Sequence, residues 1–188
     1  MEIEDVRDDI EKVLLTKEQI QRKIKDTARR VDEDYGGKDL VLVGVLKGAV
    51  NVMTALMNYM HTTCPIGFMS LSSYGEGFES SGQVKVRSDL NVDVEGKDVL
   101  IVEDIVDSGN TLHWLMGYLS NEKKARSVNV FPLLSKPSRR QWDIYVKYPG
   151  YEIEDEFVIG FGLDYKECYR NLDAIAVLKP SVYSQERM

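Results

Sequence analysis

Two runs in the chain, Leu40-Val-Leu-Val-Gly-Val45 and Val99-Leu-Ile-Val102, are apolar or glycine at every position. A strand with one face in water alternates apolar and polar residues, whereas a strand covered on both faces does not. These runs therefore predict buried strands of a parallel sheet with helices on either side. Helical periodicity supplies the covers. Thr16-Lys-Glu-Gln19 has capping-box spacing, Ile20, Ile24, Ala28 and Val31 follow at helical intervals, and Gly36-Gly37 stops the pattern, which predicts a helix over about 16 to 35. Val52, Met53, Leu56, Met57 and Met60 form a second helical face within 49–60.

Further strands are predicted over 65–74, 84–86, 98–102, 127–134, 144–146, 157–160 and 173–178, with a helix over 111–119. Residues 75–82 hold three glycines among acids and hydroxyls and read as a loop. The expectation is a single α/β domain: a central, mostly parallel sheet flanked by helices, with a core over about 36–135. A small hood is expected from 136–188 together with the N-terminal segment. At 188 residues such a domain can bury roughly 70% of its unfolded surface.

Thirty-one acidic against 24 basic residues give a formal net charge of −7, which weighs against nucleic acid or an anionic membrane as a partner. The two cysteines, Cys64 and Cys168, lack CxxC spacing, so neither a disulfide framework nor a zinc site is suggested. The N-terminus is acidic where a signal peptide is basic and then apolar, and no apolar run approaches the roughly 18 residues of a spanning helix. A cytoplasmic location is expected.

Val99–Val102 runs straight into Glu103 and Asp104. The bland reading of such a pair is a solvated strand end. A buried parallel strand, however, delivers the acids to the carboxyl edge of the sheet, where open α/β folds place ligands. Two adjacent carboxylates suit a divalent cation or the hydroxyls of a sugar. Asp107-Ser-Gly-Asn-Thr111 offers the opposite chemistry: hydroxyls, a glycine that permits close backbone approach, and the free N–H groups of a helix start, all suited to an anion. A phosphate cradle beside a diol or metal site describes a sugar phosphate. Neither GxxxxGK[ST] nor a strand-linked GxGxxG occurs, so an ATPase or a dinucleotide enzyme is not favoured.

The stretch from Val99 to Thr111 resembles the phosphoribosyl pyrophosphate signature of the type I phosphoribosyltransferases, with its apolar run, acid pair and D-[ST]-G-x-T loop. Val45-Leu-Lys-Gly48, Ser72-Ser-Tyr74, Leu133-Leu-Ser-Lys136 and Phe157-Val-Ile-Gly-Phe-Gly-Leu-Asp164 are similar to segments of the hypoxanthine-guanine phosphoribosyltransferases, and the likeness runs from about Asp39 to Pro180. It implies the type I phosphoribosyltransferase fold and a Mg2+-dependent purine-salvage transferase. Such an enzyme joins a 6-oxopurine, hypoxanthine or guanine, to 5-phosphoribosyl 1-pyrophosphate, giving IMP or GMP and pyrophosphate. Two alternatives stand beside it: an enzyme that also accepts xanthine, and a non-catalytic phosphoribosyl pyrophosphate sensor that binds nucleic acid. The resemblance also implies a homodimer or homotetramer.

The same resemblance implies roles. Glu103 and Asp104 would hold the ribose hydroxyls and Mg2+. Asp107, Ser108, Gly109, Asn110 and Thr111 would cradle the 5′-phosphate, and Asp107 would also lie near purine N7 as a general base. Leu46, Lys47 and Gly48 would receive pyrophosphate on their backbone, often across a cis Leu–Lys peptide, and Arg170 would contact the pyrophosphate directly. Lys136 would donate to the 6-oxo group and so reject adenine. Phe157 would stack on the base, Val158 would read its edge through the backbone, and Asp164 would join the purine set while holding a metal that bridges pyrophosphate. Ser73 and Tyr74 would open a loop, 73–82, that closes over the reacting centre. As bare residue types, Phe157 and Val158 are core residues, Lys136 a solvated lysine, and Asp164 and Arg170 a surface pair. Phe78 is bulkier than the family's loop residue, and His61 and His113, which match no catalytic position, read as structural.

Overall fold

The computed structural model describes residues 1–73 and 84–184; Tyr74, Phe78 and the glycine-rich loop at 75–82 lie outside the described residues. A 3-10 segment, Ile3–Asp9, leads into β1 (Ile10–Leu15) and α1 (Lys17–Tyr35), then β2 (Leu40–Leu46), α2 (Val50–Tyr59), β3 (Ile66–Ser73) and β4 (Val84–Ser88). β5 (Asp98–Val106), α3 (Asn110–Gly117) and β6 (Ser127–Ser135) follow, and the chain ends through β7 (Tyr151–Glu152), β8 (Val158–Ile159), β9 (Ile175–Leu178) and α4 (Pro180–Tyr183). Thr16 caps α1 in the anticipated box: its hydroxyl accepts from Gln19 N, and the Gln19 side chain accepts from Thr16 N.

The larger sheet runs β4-β3-β2-β5-β6-β7. It is parallel at β2/β3, β2/β5, β5/β6 and β6/β7, and antiparallel only at β3/β4. Both faces of the two apolar runs are covered. Leu40, Leu42, Leu100 and Val102 pack with Ile20, Ile24, Val31 and Leu56 on one side, and Val41, Val43, Val99 and Ile101 pack with Leu112, Leu115 and Leu119 on the other. That double burial is why no polar residue interrupts them.

A second sheet, β1-β9-β8, is antiparallel throughout and brings the ends of the chain together, pairing Ile10 with Leu178 and Leu15 with Ile175. β1 was not anticipated. Its sequence, Ile-Glu-Lys-Val-Leu-Leu, is half exposed, so its apolar pattern is weak. The strand expected at 144–146 does not form. Ile144 and Val146 instead pack as partly buried cover over the second apolar layer, and sheet pairing begins only at Tyr151. Gly150 presses its backbone onto β6, where an added Cβ would lie 2.1 Å from the Leu133 carbonyl, and β7 directly after it is the edge strand paired with β6.

Candidate active site

Register sets the site. β2 pairs with β5 up to Gly44 opposite Val102, and β5 pairs with β6 up to Val106 opposite Ser135, so Leu46–Gly48, Glu103–Thr111 and Lys136 all leave the carboxyl edge of one sheet.

Glu103 is 7% exposed, and burial, with the charge of Asp104 added, pushes its carboxyl well above the usual range. Burial likewise raises Asp104 to about 6, against the backbone N–H groups and the Arg170 guanidinium, which favour its charge. Asp104 Oδ1 accepts from Ile105 N at 2.8 Å. Among the described residues neither acid is held in a salt bridge.

The next turn is the loop expected from its sequence to receive an anion. Gly109 sits at φ +84°, and Gln141 N donates to Ser108 O at 2.9 Å, tying the loop to the segment after β6. The helix begins at Asn110, one residue earlier than expected. A cavity of about 120 Å³ lies against Glu103, Asp107, Ser108, Gly109 and Thr111.

At one end, Lys136 is 8% exposed, and its Nζ lies 3.2 Å from Asp155 Oδ1. Asp107 Oδ1 lies 2.7 Å from Arg139 Nε, off the line of a hydrogen bond, so this buried oxygen keeps its acceptor capacity unused. Val158 is buried in β8. Phe157, 40% exposed, stacks on Tyr183 at 5.0 Å and meets Tyr165 edge-on at 5.8 Å.

At the other end, the Leu46–Lys47 peptide is cis. Lys47 Nζ pairs with Glu167 Oε2 at 2.7 Å. Arg170 donates to Gly162 O at 2.7 Å and pairs with Asp164 at 2.8 Å and Glu167 at 3.4 Å. Gly162, at φ +105°, faces Gly48 so closely that a Cβ would lie 2.1 Å from the Gly48 carbonyl. Ser73 ends β3.

Residues 12–166 match the phosphoribosyl transferase domain family. A hypoxanthine-guanine phosphoribosyltransferase of Bacillus subtilis (strain 168) is 47% identical over 178 residues, covering 95% of this chain and 98% of that protein. The chain belongs to the hypoxanthine-guanine phosphoribosyltransferase family. It is also 47% identical to the bifunctional protein TilS/HprT of Listeria monocytogenes serotype 4b (strain F2365), but spans 28% of that protein's length. The crystal structure of a hypoxanthine phosphoribosyltransferase from Staphylococcus aureus superposes with a TM-score of 0.91 at 46% identity, covering 95% of this chain and 97% of the other.

Membership in the phosphoribosyltransferase family bears on the metal. Among the described residues no group of three or more His, Cys, Asp or Glu side chains is gathered to hold an ion alone. Asp104 and Asp164 are nonetheless close enough for the charge of one to raise the other. One or two carboxylates completed by phosphate oxygens and water is the donor set magnesium favours, so the residues fit the ion. Three charged residues here were not singled out from the sequence: Arg139, Asp155 and Glu167. Their only sequence signal is position, two basic residues after Lys136-Pro137 and acids within 152–156 and at 167.

Proposed function

We propose that this chain transfers the phosphoribosyl group of 5-phosphoribosyl 1-pyrophosphate to hypoxanthine or guanine, yielding IMP or GMP and pyrophosphate. The observation that carries this is the shared sheet edge, where the Glu103–Asp104 pair, the Asp107–Thr111 loop and the buried Lys136 ammonium lie side by side.

In the proposed reaction Glu103 and Asp104 hold the ribose hydroxyls, and the loop N–H and hydroxyl groups hold the 5′-phosphate. Lys136 donates to the 6-oxo oxygen, and Val158 presents backbone groups to the ring. Phe157 stacks on the base once its ring leaves or shares the Tyr183 face. The purine N9–C1′ bond forms as the C1′–pyrophosphate bond breaks, and the base's proton passes to Asp107, whose Oδ1 has acceptor capacity to take it. Leu46–Gly48 and Arg170 receive the leaving pyrophosphate. Asp104, Glu103 and Asp164 would hold magnesium, which when bound neutralises the charge developing on that leaving group. Binding and alignment of both substrates supply the remaining acceleration.

Two attributes accompany this reading. Leu46, Val50, Met57 and Tyr59 leave apolar surface exposed at the end of β2 and on α2, which supports a homodimer or homotetramer. No helix among the described residues is long and apolar enough to cross a membrane, and a cytoplasmic location is proposed.

Supplying hypoxanthine, guanine, xanthine and adenine in turn with Mg2+ and phosphoribosyl pyrophosphate tests the reaction: nucleotide should form with the first two and not with adenine. Asp107→Asn should lower kcat by roughly 10²-fold with little change in the KM for phosphoribosyl pyrophosphate. Full turnover by that variant would remove the general-base role.

A further inference from the structure

Val106 and Ser135 pair across β5 and β6, so the next residue of each strand, Asp107 and Lys136, leaves the sheet beside the other. The Lys136 backbone N–H donates to Val106 O at 2.9 Å, which fixes that adjacency. Adjacent strands run about 4.8 Å apart, within reach of a direct contact between these opposite charges. Among the described residues they do not pair with each other. Lys136 Nζ is taken by Asp155 Oδ1 at 3.2 Å, and Asp107 Oδ1 lies 2.7 Å from Arg139 Nε, an ion pair that leaves its hydrogen-bond acceptor unfilled. Arg139 then closes the chain, with its Nη1 3.3 and 3.2 Å from the two Asp155 oxygens. The order is Asp107, Arg139, Asp155, Lys136, with alternating sign throughout.

We infer that Arg139 and Asp155 are positioning residues, a cross-brace that holds Asp107 and Lys136 apart at the spacing of purine N7 and the 6-oxo oxygen. The inference rests on the proposed transfer to a 6-oxopurine. N7 and O6 lie side by side on one edge of the base, so they need one proton acceptor and one donor side by side but unpaired. An acid and an ammonium in that arrangement would otherwise neutralise each other, and the base would have to break their contact before binding. Asp155 draws the Lys136 ammonium away, and Arg139 draws the Asp107 carboxylate away. Both braces act by charge: the Lys136 hydrogen bond holds Asp155 below the usual carboxylate range, and the Asp107 charge holds Arg139 above its ordinary value. Lys136 is nearly buried, while Asp155 and Arg139 are about half exposed, so the brace grips the rigid partner from the solvent side.

The test is steady-state kinetics of Asp155→Asn, Asp155→Glu, Arg139→Gln and Arg139→Lys on the full chain with Mg2+, measured with hypoxanthine and adenine. Asp155→Asn should raise the hypoxanthine KM about tenfold, as expected for loss of one charge-assisted hydrogen bond, and should narrow the preference for hypoxanthine over adenine. The KM for phosphoribosyl pyrophosphate should stay within about twofold of wild type, by the same conversion of energy to affinity. Asp155→Glu and Arg139→Lys, which keep the charge, should recover part of each loss, and Arg139→Gln should lower kcat more than it raises KM. Unchanged base affinity and base preference in Asp155→Asn would overturn the brace, as would an equal rise in both substrates' KM values, which marks general disruption. If the folded wild-type protein makes no nucleotide from any base, the proposed function itself fails; an active wild type with an indifferent Asp155→Asn removes only the brace.

Discussion

Glu103 and Asp104, at the end of β5, differ from Asp107, Asp155, Asp164 and Glu167 in the surrounding loops in how their charge is met. Each loop acid faces a protein cation: Arg139 for Asp107, Lys136 and Arg139 for Asp155, Arg170 for Asp164, and Lys47 for Glu167. Neither strand acid is held in a salt bridge among the described residues, and burial is the largest influence on both, raising their pKa values. The more exposed of these pairs, Lys47 with Glu167 and Arg139 with Asp107 and Asp155, can be exchanged for ligand groups at little cost, because such ion pairs contribute about 1 kcal/mol or less. The strand acids have no salt-bridge partner to exchange among the described residues. In the proposed reaction their counter-charge is magnesium.

Removing both strand acids, Glu103→Gln with Asp104→Asn, is the strongest way to break that contrast. Turnover should fall by about 10³-fold, in line with the several kcal/mol a bound metal gives to leaving-group charge. A double variant that keeps most of its turnover would put the metal elsewhere.

The pH dependence of stability sharpens the contrast next. Burial raises the folded-state pKa of Asp104 from 3.8 to about 6, so its contribution is fully present below about pH 4 and is lost as pH rises through about 6. Linkage sets this at about 3 kcal/mol at most, and nearer 2 kcal/mol given partial solvent contact. Melted in EDTA, the wild type should therefore lose stability between pH 4.5 and 7.5 relative to Asp104→Asn, and Mg2+ with pyrophosphate should restore it. Parallel curves for the two proteins would show that the strand acid titrates like a loop acid.

The smallest effect belongs to a loop acid. Glu167→Gln frees Lys47 and Arg170 from an exposed carboxylate, and the KM for phosphoribosyl pyrophosphate should drop about two- to threefold, with the base KM unmoved. A tenfold change would mean that Glu167 does more than hold a place on the pyrophosphate side.

What could be read from the sequence follows the same division. The apolar runs of β2 and β5 announce themselves because both faces are buried, and Glu103 to Thr111 is legible because acids and anion loop are contiguous. Arg139, Asp155 and Glu167 were missed because each looks like an ordinary solvated charge until folding sets it against a residue well away in the chain, 120 residues apart for Lys47 and Glu167. β1 was missed because a half-exposed edge strand has little apolar pattern to show. The expected strand at 144–146 failed for the converse reason: Ile144 and Val146 have the right side chains, but they cover a core instead of extending a sheet.

The pairing of β1 with β9 also has a consequence for the order of assembly. Ile10 waits for Leu178, and Lys179 N donates to Asp9 O, so the first strand made finds this partner only when the last one exists. At ribosomal speeds of about 5–20 residues per second that wait is roughly 10 to 30 seconds. The larger sheet, whose strands lie between the two, can form in the meantime. During synthesis the strands that carry Glu103, Asp104 and the loop at 107–111 are therefore all made before the antiparallel β1-β9-β8 sheet can be completed.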